Sequence, residues 1–167
     1  MKHPAIQQYN YHKWANTRIF EHLKSLPGEV YTNEIKSVFS SIQKVIIHAY
    51  QAEGMWLSVM SGDDFSETMD VIIELKEKSS GGSLLEMQQL YAEMNKKYFD
   101  FLDNHDELDL KFTINHPRYG DLDASVTDMV KHVANHGTYH RGNITAMLRQ
   151  QGHAGVSTDY IFFLYNL

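Results

Sequence analysis

The chain has 167 residues, ten histidines, no cysteine and a formal net charge of −6. With 43% hydrophobic composition, it is long enough for one domain over residues 1–167 with a real core, and too short for two comfortable ones. The lack of cysteine excludes thiolate zinc sites, cysteine nucleophiles, iron–sulfur clusters and disulfides. The acidic balance argues against a nucleic-acid-binding face, which needs clustered basic side chains.

Taken in chain order, the opening Met1-Lys2-His3-Pro4 leads into a polar-rich segment with no apolar signal region. No apolar run approaches the length of a membrane span, so a soluble, cytoplasmic protein without membrane or nucleic-acid partners is expected. A first helix runs from about Ala5 to Leu26, carrying Tyr9, Trp14, Ile19, Phe20 and Leu23, and stops at Pro27-Gly28. A second runs from about Ser40 to Met60, with Ile42, Val45, Ile46, Ala49, Ala52, Trp56 and Met60 at helical spacing. The stretch from Asp63 to Gly82 mixes Asp, Glu, Lys, Ser and Gly around Val71-Ile72-Ile73. It reads as a loop with at most one short helix or strand.

Ser83 followed by Glu86 is the pattern of a capping box opening a third helix. Its Leu84, Met87, Tyr91, Met94, Tyr98 and Phe101 form a narrow stripe of the kind that faces a bundle core. Alternation from Leu108 to Ile114, a turn at Asn115–Gly120 and a following short run predict a small hairpin. Ser125 and Asp128 repeat the capping pattern before a fourth helix that ends near Gln151, with Met129, Val133, His136, His140, Ile144 and Met147 as its stripe. The aromatic C-terminus, Tyr160 to Tyr165, must dock on the bundle or on a second subunit. The fold class is therefore all-α, a four-helix bundle with a small hairpin before the last long helix.

Histidines at 132, 136 and 140 stand four apart on the fourth helix. Residues at that spacing lie one above the other, so His136 and His140 can reach a common point, and their place in the apolar stripe turns them inward. A buried imidazole pair must satisfy its ring nitrogens, and a divalent metal ion is the simplest shared partner. Two imidazoles rarely suffice; catalytic sites use three protein ligands and leave a position open. His48, midway along the second helix beside its stripe, is the best third ligand, which places the ion in the bundle interior. His132 lies about 80° around the helix from His140 and reads as exposed or as supporting the ligands from behind. His3, His12, His22, His105, His116 and His153 fall at polar positions or in turns and read as surface imidazoles. Tyr139 and Arg141 turn about 100° away from His140, toward a neighbouring helix or solvent. Ferritin-like Glu-x-x-His pairs, the His-Glu-x-x-His protease signature, the Gly-x-Ser-x-Gly elbow and nucleotide-binding glycine loops are all missing.

The run from His132 through His136-Gly137-Thr138-Tyr139-His140-Arg141-Gly142 to Asn143 resembles the signature of the DinB family, within the DinB/YfiT-like superfamily. Asn143 stands where the usual form has Gln. The opening Tyr9-Asn10-Tyr11-His12-Lys13-Trp14-Ala15-Asn16 is similar to that family's first helix, and His48 through Glu53 to Trp56 resembles its second. The resemblance spans nearly the whole chain and is weakest from Asp63 to Gly82. It implies a four-helix bundle holding one divalent ion on His48, His136 and His140, often in homodimers; imidazole donors by their chemistry suit zinc, nickel or iron. It also implies chemistry on small molecules, since some superfamily members are similar to S-transferases using thiols such as bacillithiol, or to mycothiol-dependent isomerases. The leading expectation is a metal-dependent enzyme activating a low-molecular-weight thiol. The alternatives are a non-catalytic metal-binding stress-response protein and a metal-dependent hydrolase, for which Tyr139, Glu53 and His132 lie within helical reach but none is assigned a catalytic role.

Overall fold

Every long amphipathic stretch in the sequence becomes a helix whose apolar stripe faces a shared core. The computed structural model describes residues 3–167. The elements are α1 (Pro4–Lys24), α2 (Glu29–Thr32), α3 (Ile42–Met60), α4 (Phe65–Ser79) and α5 (Leu84–Asp103), then β1 (Lys111–His116), β2 (Gly120–Ser125), α6 (Val126–Gln150) and α7 (Tyr160–Leu164). Local chemistry sets the starts. Pro4 sits in the first turn of α1, where its missing N–H costs nothing. The capping boxes Ser83/Glu86 and Ser125/Asp128 both form, each satisfying two orphan donors. No described helix is long and apolar enough to cross a membrane.

Helices α1, α3, α5 and α6 form the bundle around one core, in which Tyr9, Val45, Met87, Tyr98, Val130 and Met147 are fully enclosed. Tyrosine hydroxyls from α5 set its register on α3: Tyr91 donates to the Ile46 carbonyl and Tyr98 to the Glu53 carbonyl. The two bonds advance in step along both helices, so α3 and α5 run in the same direction. Something must therefore carry the chain back the length of α3, about 28 Å at 1.5 Å per residue.

That element is α4, and it corrects the loop expected between Asp63 and Gly82. Fifteen residues of helix span about 22 Å, and a capping box of Asp64 and Glu67 opens them. Leu75 anchors α4 by entering the core opposite Gly54 of α3, where an added Cβ would stand 2.6 Å from Leu75 Cδ1. The predicted hairpin is present, with β1 and β2 antiparallel in the register Lys111↔Ser125 to His116↔Gly120. Gly120 closes its turn at φ 79°, a backbone region that side chains disfavour. Helix α7 docks on α1 through Phe163, buried against Tyr11, Ala15 and Trp14, while Ile161, Phe162 and Tyr165 stay exposed.

Candidate metal centre

Helices α3 and α6 pack antiparallel, and this places their histidines opposite one another. Trp56 meets His132 at 4.7 Å between ring centroids. About two turns back along α3, the His48 ring lies 4.8 Å from His140 and 5.6 Å from His136. The donor atoms of His48, His136 and His140 all fall within 4.8 Å of one another. His136 Nε2 and His140 Nε2 are 3.1 Å apart. The three sequence-predicted ligands therefore come together, and His132, exposed and stacked 5.9 Å from His136, stays outside the cluster.

The cluster sits at the rim of the bundle rather than in its interior. His140 is 4% exposed, His136 is half-buried and His48 is exposed. Antiparallel packing brings the ligands together, and the exposed His48 leaves one side of the cluster facing solvent. Burial holds the His140 imidazole down to about pKa 4, helped by the positive charge that His136 and His48 would carry if protonated. Burial lowers His48 and His136 as well, and His136 also feels His48 and His132. All three rings are therefore neutral near pH 7 and present lone pairs. Two nitrogens 3.1 Å apart share at most one proton between them. A trio of neutral imidazole donors aimed at one point suits a divalent cation.

Behind the cluster lies a buried polar network, one member of which, His12, the sequence predicts at the surface. His12 is 3% exposed, and its Nε2 lies 3.2 Å from Glu53 Oε2. Tyr9 donates to Glu53 Oε1 at 2.7 Å, its own hydroxyl pushed well up by burial and by the Glu53 charge, so it keeps its proton. Arg141 turns from α6 onto α1, as expected, donating to Asn16 Oδ1 at 2.9 Å and to Thr138 Oγ1 at 2.8 Å. Its Nε, also buried, has no partner among the described residues. Gly137 makes this junction possible, because a Cβ there would fall on His12 Cε1 and lie 2.6 Å from His12 Nδ1. The signal for His12 was in the sequence: Tyr9, His12, Asn16, Ile19 and Leu23 keep helical three- and four-residue steps along one face of α1.

A cavity of about 20 Å³ separates the two layers, touched by His136 and His140 on one side and by His12, Glu53 and Arg141 on the other. It has room for a single water. Asn143 supports the cluster from α6, its amide 3.5 Å from His140 Nδ1. Tyr139 is exposed beside His140.

Comparison with known proteins bears on the fold and the family. The solved structure titled Sibling Lethal Factor Precursor - DfsB shares the fold with a TM-score of 0.61 over 92% of this chain and 100% of that one, at 13% identity. Protein DinB of Bacillus subtilis (strain 168) is 42% identical over 161 residues, covering 96% of this chain and 94% of the relative. A family model described as DinB family matches residues 1–166. On that match and that relative, the chain belongs to the DinB family.

Proposed function

We propose that His48, His136 and His140 hold one divalent ion and that the protein is a metal-dependent enzyme acting on a low-molecular-weight thiol, as an S-transferase or isomerase of the bacillithiol or mycothiol type. One observation carries this reading: three imidazole donors converge within 4.8 Å, no fourth side-chain ligand joins them among the described residues, and the His48 side faces solvent. Catalytic sites keep such an open position, whereas structural sites close it. When bound, the ion supplies Lewis acidity that makes a thiol presented to it nucleophilic near neutral pH. Imidazole donors suit zinc, nickel and iron alike.

The chain's own residues hold and orient. His48 and the His136/His140 pair fix the reacting centre between α3 and α6. Asn143 holds the far nitrogen of His140, and the Glu53–His12–Arg141 network pins the ligand-bearing turn of α6 against α1. In the transfer, the thiol gives up its proton to solvent. Its sulfur forms a bond to an electrophilic carbon, and the leaving group departs with the electron pair of the bond that breaks. The exposed apolar side chains of α7 offer a surface for a homodimer, which sedimentation would reveal.

The test begins with elemental analysis of the purified protein beside His48→Ala and His136→Ala. The wild type retains about one equivalent of metal and each variant loses it; variants that keep wild-type metal refute the site. Loaded protein is then offered a panel of thiols with an electrophilic acceptor. No turnover with metal bound refutes the transferase reading and favours a second one, in which the ion only staples α3 to α6. That reading has its own support in the ligands' coming from two helices. It predicts an unchanged visible spectrum when thiol is added to the cobalt-substituted protein.

A further inference from the structure

A second concave feature lies beyond the imidazole cluster. The C-terminal half of α3, the first turns of α4 and the hairpin enclose a groove of about 1160 Å³. Its lining is mainly apolar, with Trp56 and Val59 from α3, Met69 and Ile72 from α4, and Phe112 and Ile114 from β1. Clefts of several hundred Å³ or more with this chemistry are what drug-sized ligands fill. Phe65 and Met69 remain 44% and 39% exposed on its wall, an arrangement that costs solvation free energy unless something covers them.

Two further observations say what the occupant is. The first is position. Trp56 lines this groove and also the small cavity behind His136 and His140. Its indole lies tilted against His132, 4.7 Å between ring centroids, and His132 stacks in turn beside His136. One end of the groove is thus a single ring away from the cluster. The second is charge. Asp63, Asp64 and Asp121 line the groove, and no lysine or arginine does among the described residues. At its far end, the His116 ring is held between Phe65 at 5.3 Å and Tyr119 at 4.7 Å. Carboxylates and aromatic faces together favour a cation and repel an anion.

We propose that this groove binds an apolar small molecule bearing a cationic group, the second substrate whose reacting end lies past Trp56 at the imidazole cluster. Its role as substrate rests on the thiol-transfer reading above; its binding does not. The probes are two diphenylhexatriene derivatives that share one apolar body, one carrying a trimethylammonium group and the other a propionate. Both are titrated into full-length Trp14→Phe protein, in which Trp56 is the remaining tryptophan, with and without bound metal. Binding is read from probe fluorescence and from energy transfer out of Trp56.

The cationic probe is expected to saturate at one site per chain, to quench Trp56 and to bind at least about ten-fold tighter than the propionate, since one net ionic contact in a partly buried site is worth about 1.4 kcal/mol. Met69→Arg, at a position exposed enough to leave the fold intact by circular dichroism, weakens the cationic probe by about ten-fold or more. His140→Ala leaves its affinity unchanged. Equal binding of the two probes, indifference to Met69→Arg, or displacement of the probe by self-association at rising protein concentration would overturn the proposal. Probe binding without any thiol turnover sinks the transferase reading alone, and turnover without probe binding sinks the groove alone.

Discussion

Two glycines on α6, Gly137 and Gly142, should respond in opposite directions to the same substitution. Alanine in place of glycine inside a helix contributes about 1 kcal/mol of stability by propensity. At Gly142, exposed and with nothing within 4 Å of an added Cβ, that gain stands alone. At Gly137 the new methyl falls on His12 Cε1 and lies 2.9 Å from Arg141 Nη1. Both neighbours are buried and hydrogen-bonded, so neither gives way freely. Overpacking of this kind costs about 1–3 kcal/mol. If His12 is driven off Glu53, a buried carboxylate loses its partner and the cost rises toward about 3–5 kcal/mol. Net of propensity, Gly137→Ala is destabilised by roughly 0–2 kcal/mol, or roughly 2–4 kcal/mol if His12 leaves Glu53, while Gly142→Ala gains about 1 kcal/mol. For a chain of this size each kcal/mol moves the melting temperature by about 2–4 °C, so the two variants separate by roughly 2–20 °C. Urea and thermal unfolding are to be run in chelator, because a bound ion would add its own stabilisation to the folded state. Variants of equal stability, or Gly142→Ala the weaker of the two, would show that His12 does not occupy the space beside Gly137.

Metal-free protein should lose stability as pH falls from about 6.5 toward 4. Its three cluster imidazoles are held below their unfolded value, His140 down to about 4, so the unfolded chain binds more protons across that window. The stability is fully present above pH 6.5. The His140 share is about 1–2 kcal/mol after discounting for solvent at the rim, and His140→Ala should flatten the profile correspondingly in urea titrations at stepped pH. Asn143→Ala should weaken metal retention about ten-fold in competition with a chelator, because it removes the amide beside His140 Nδ1 whose oxygen, once the amide turns over, accepts the Nδ1–H of the ligating tautomer; Asn143→Gln, which keeps the amide, should retain it. Asp64→Ala removes one half of the α4 capping box and should cost about 1 kcal/mol. Hydrogen exchange should show the loss first at the amides of Glu67 and its neighbours.

Much of the bundle was legible because its signals are short-range. The stripe from Met87 to Tyr98 and the boxes at Ser83 and Ser125 involve residues within a turn or two of each other, and helix geometry alone turns them into structure. Helix α4 escaped for two reasons. Its composition is polar, since it covers α3 from outside and buries only a thin edge at Thr68, Leu75 and Ser79. Val71-Ile72-Ile73 also reads as a short strand-like patch, although Asp64 and Glu67 ahead of it form the same capping box as those at Ser83 and Ser125. Taken alone, His12 reads as a surface imidazole; its burial follows from its place on the α1 face between Tyr9 and Asn16.

The candidate site divides along the same line. Four-residue spacing on one helix determined that His136 and His140 share a face, and their place in an apolar stripe determined that the face is turned inward. The sequence carried His48 only as a suitable residue on another helix. Its approach to within 4.8 Å of the pair depends on the antiparallel packing of α3 on α6. That packing depends in turn on α4 carrying the chain back, so that α5 can lie parallel to α3. The same packing decided that the cluster opens to solvent and that a buried carboxylate network stands behind it. Neither feature has a local signature, because both arise from side chains of different helices meeting across the bundle.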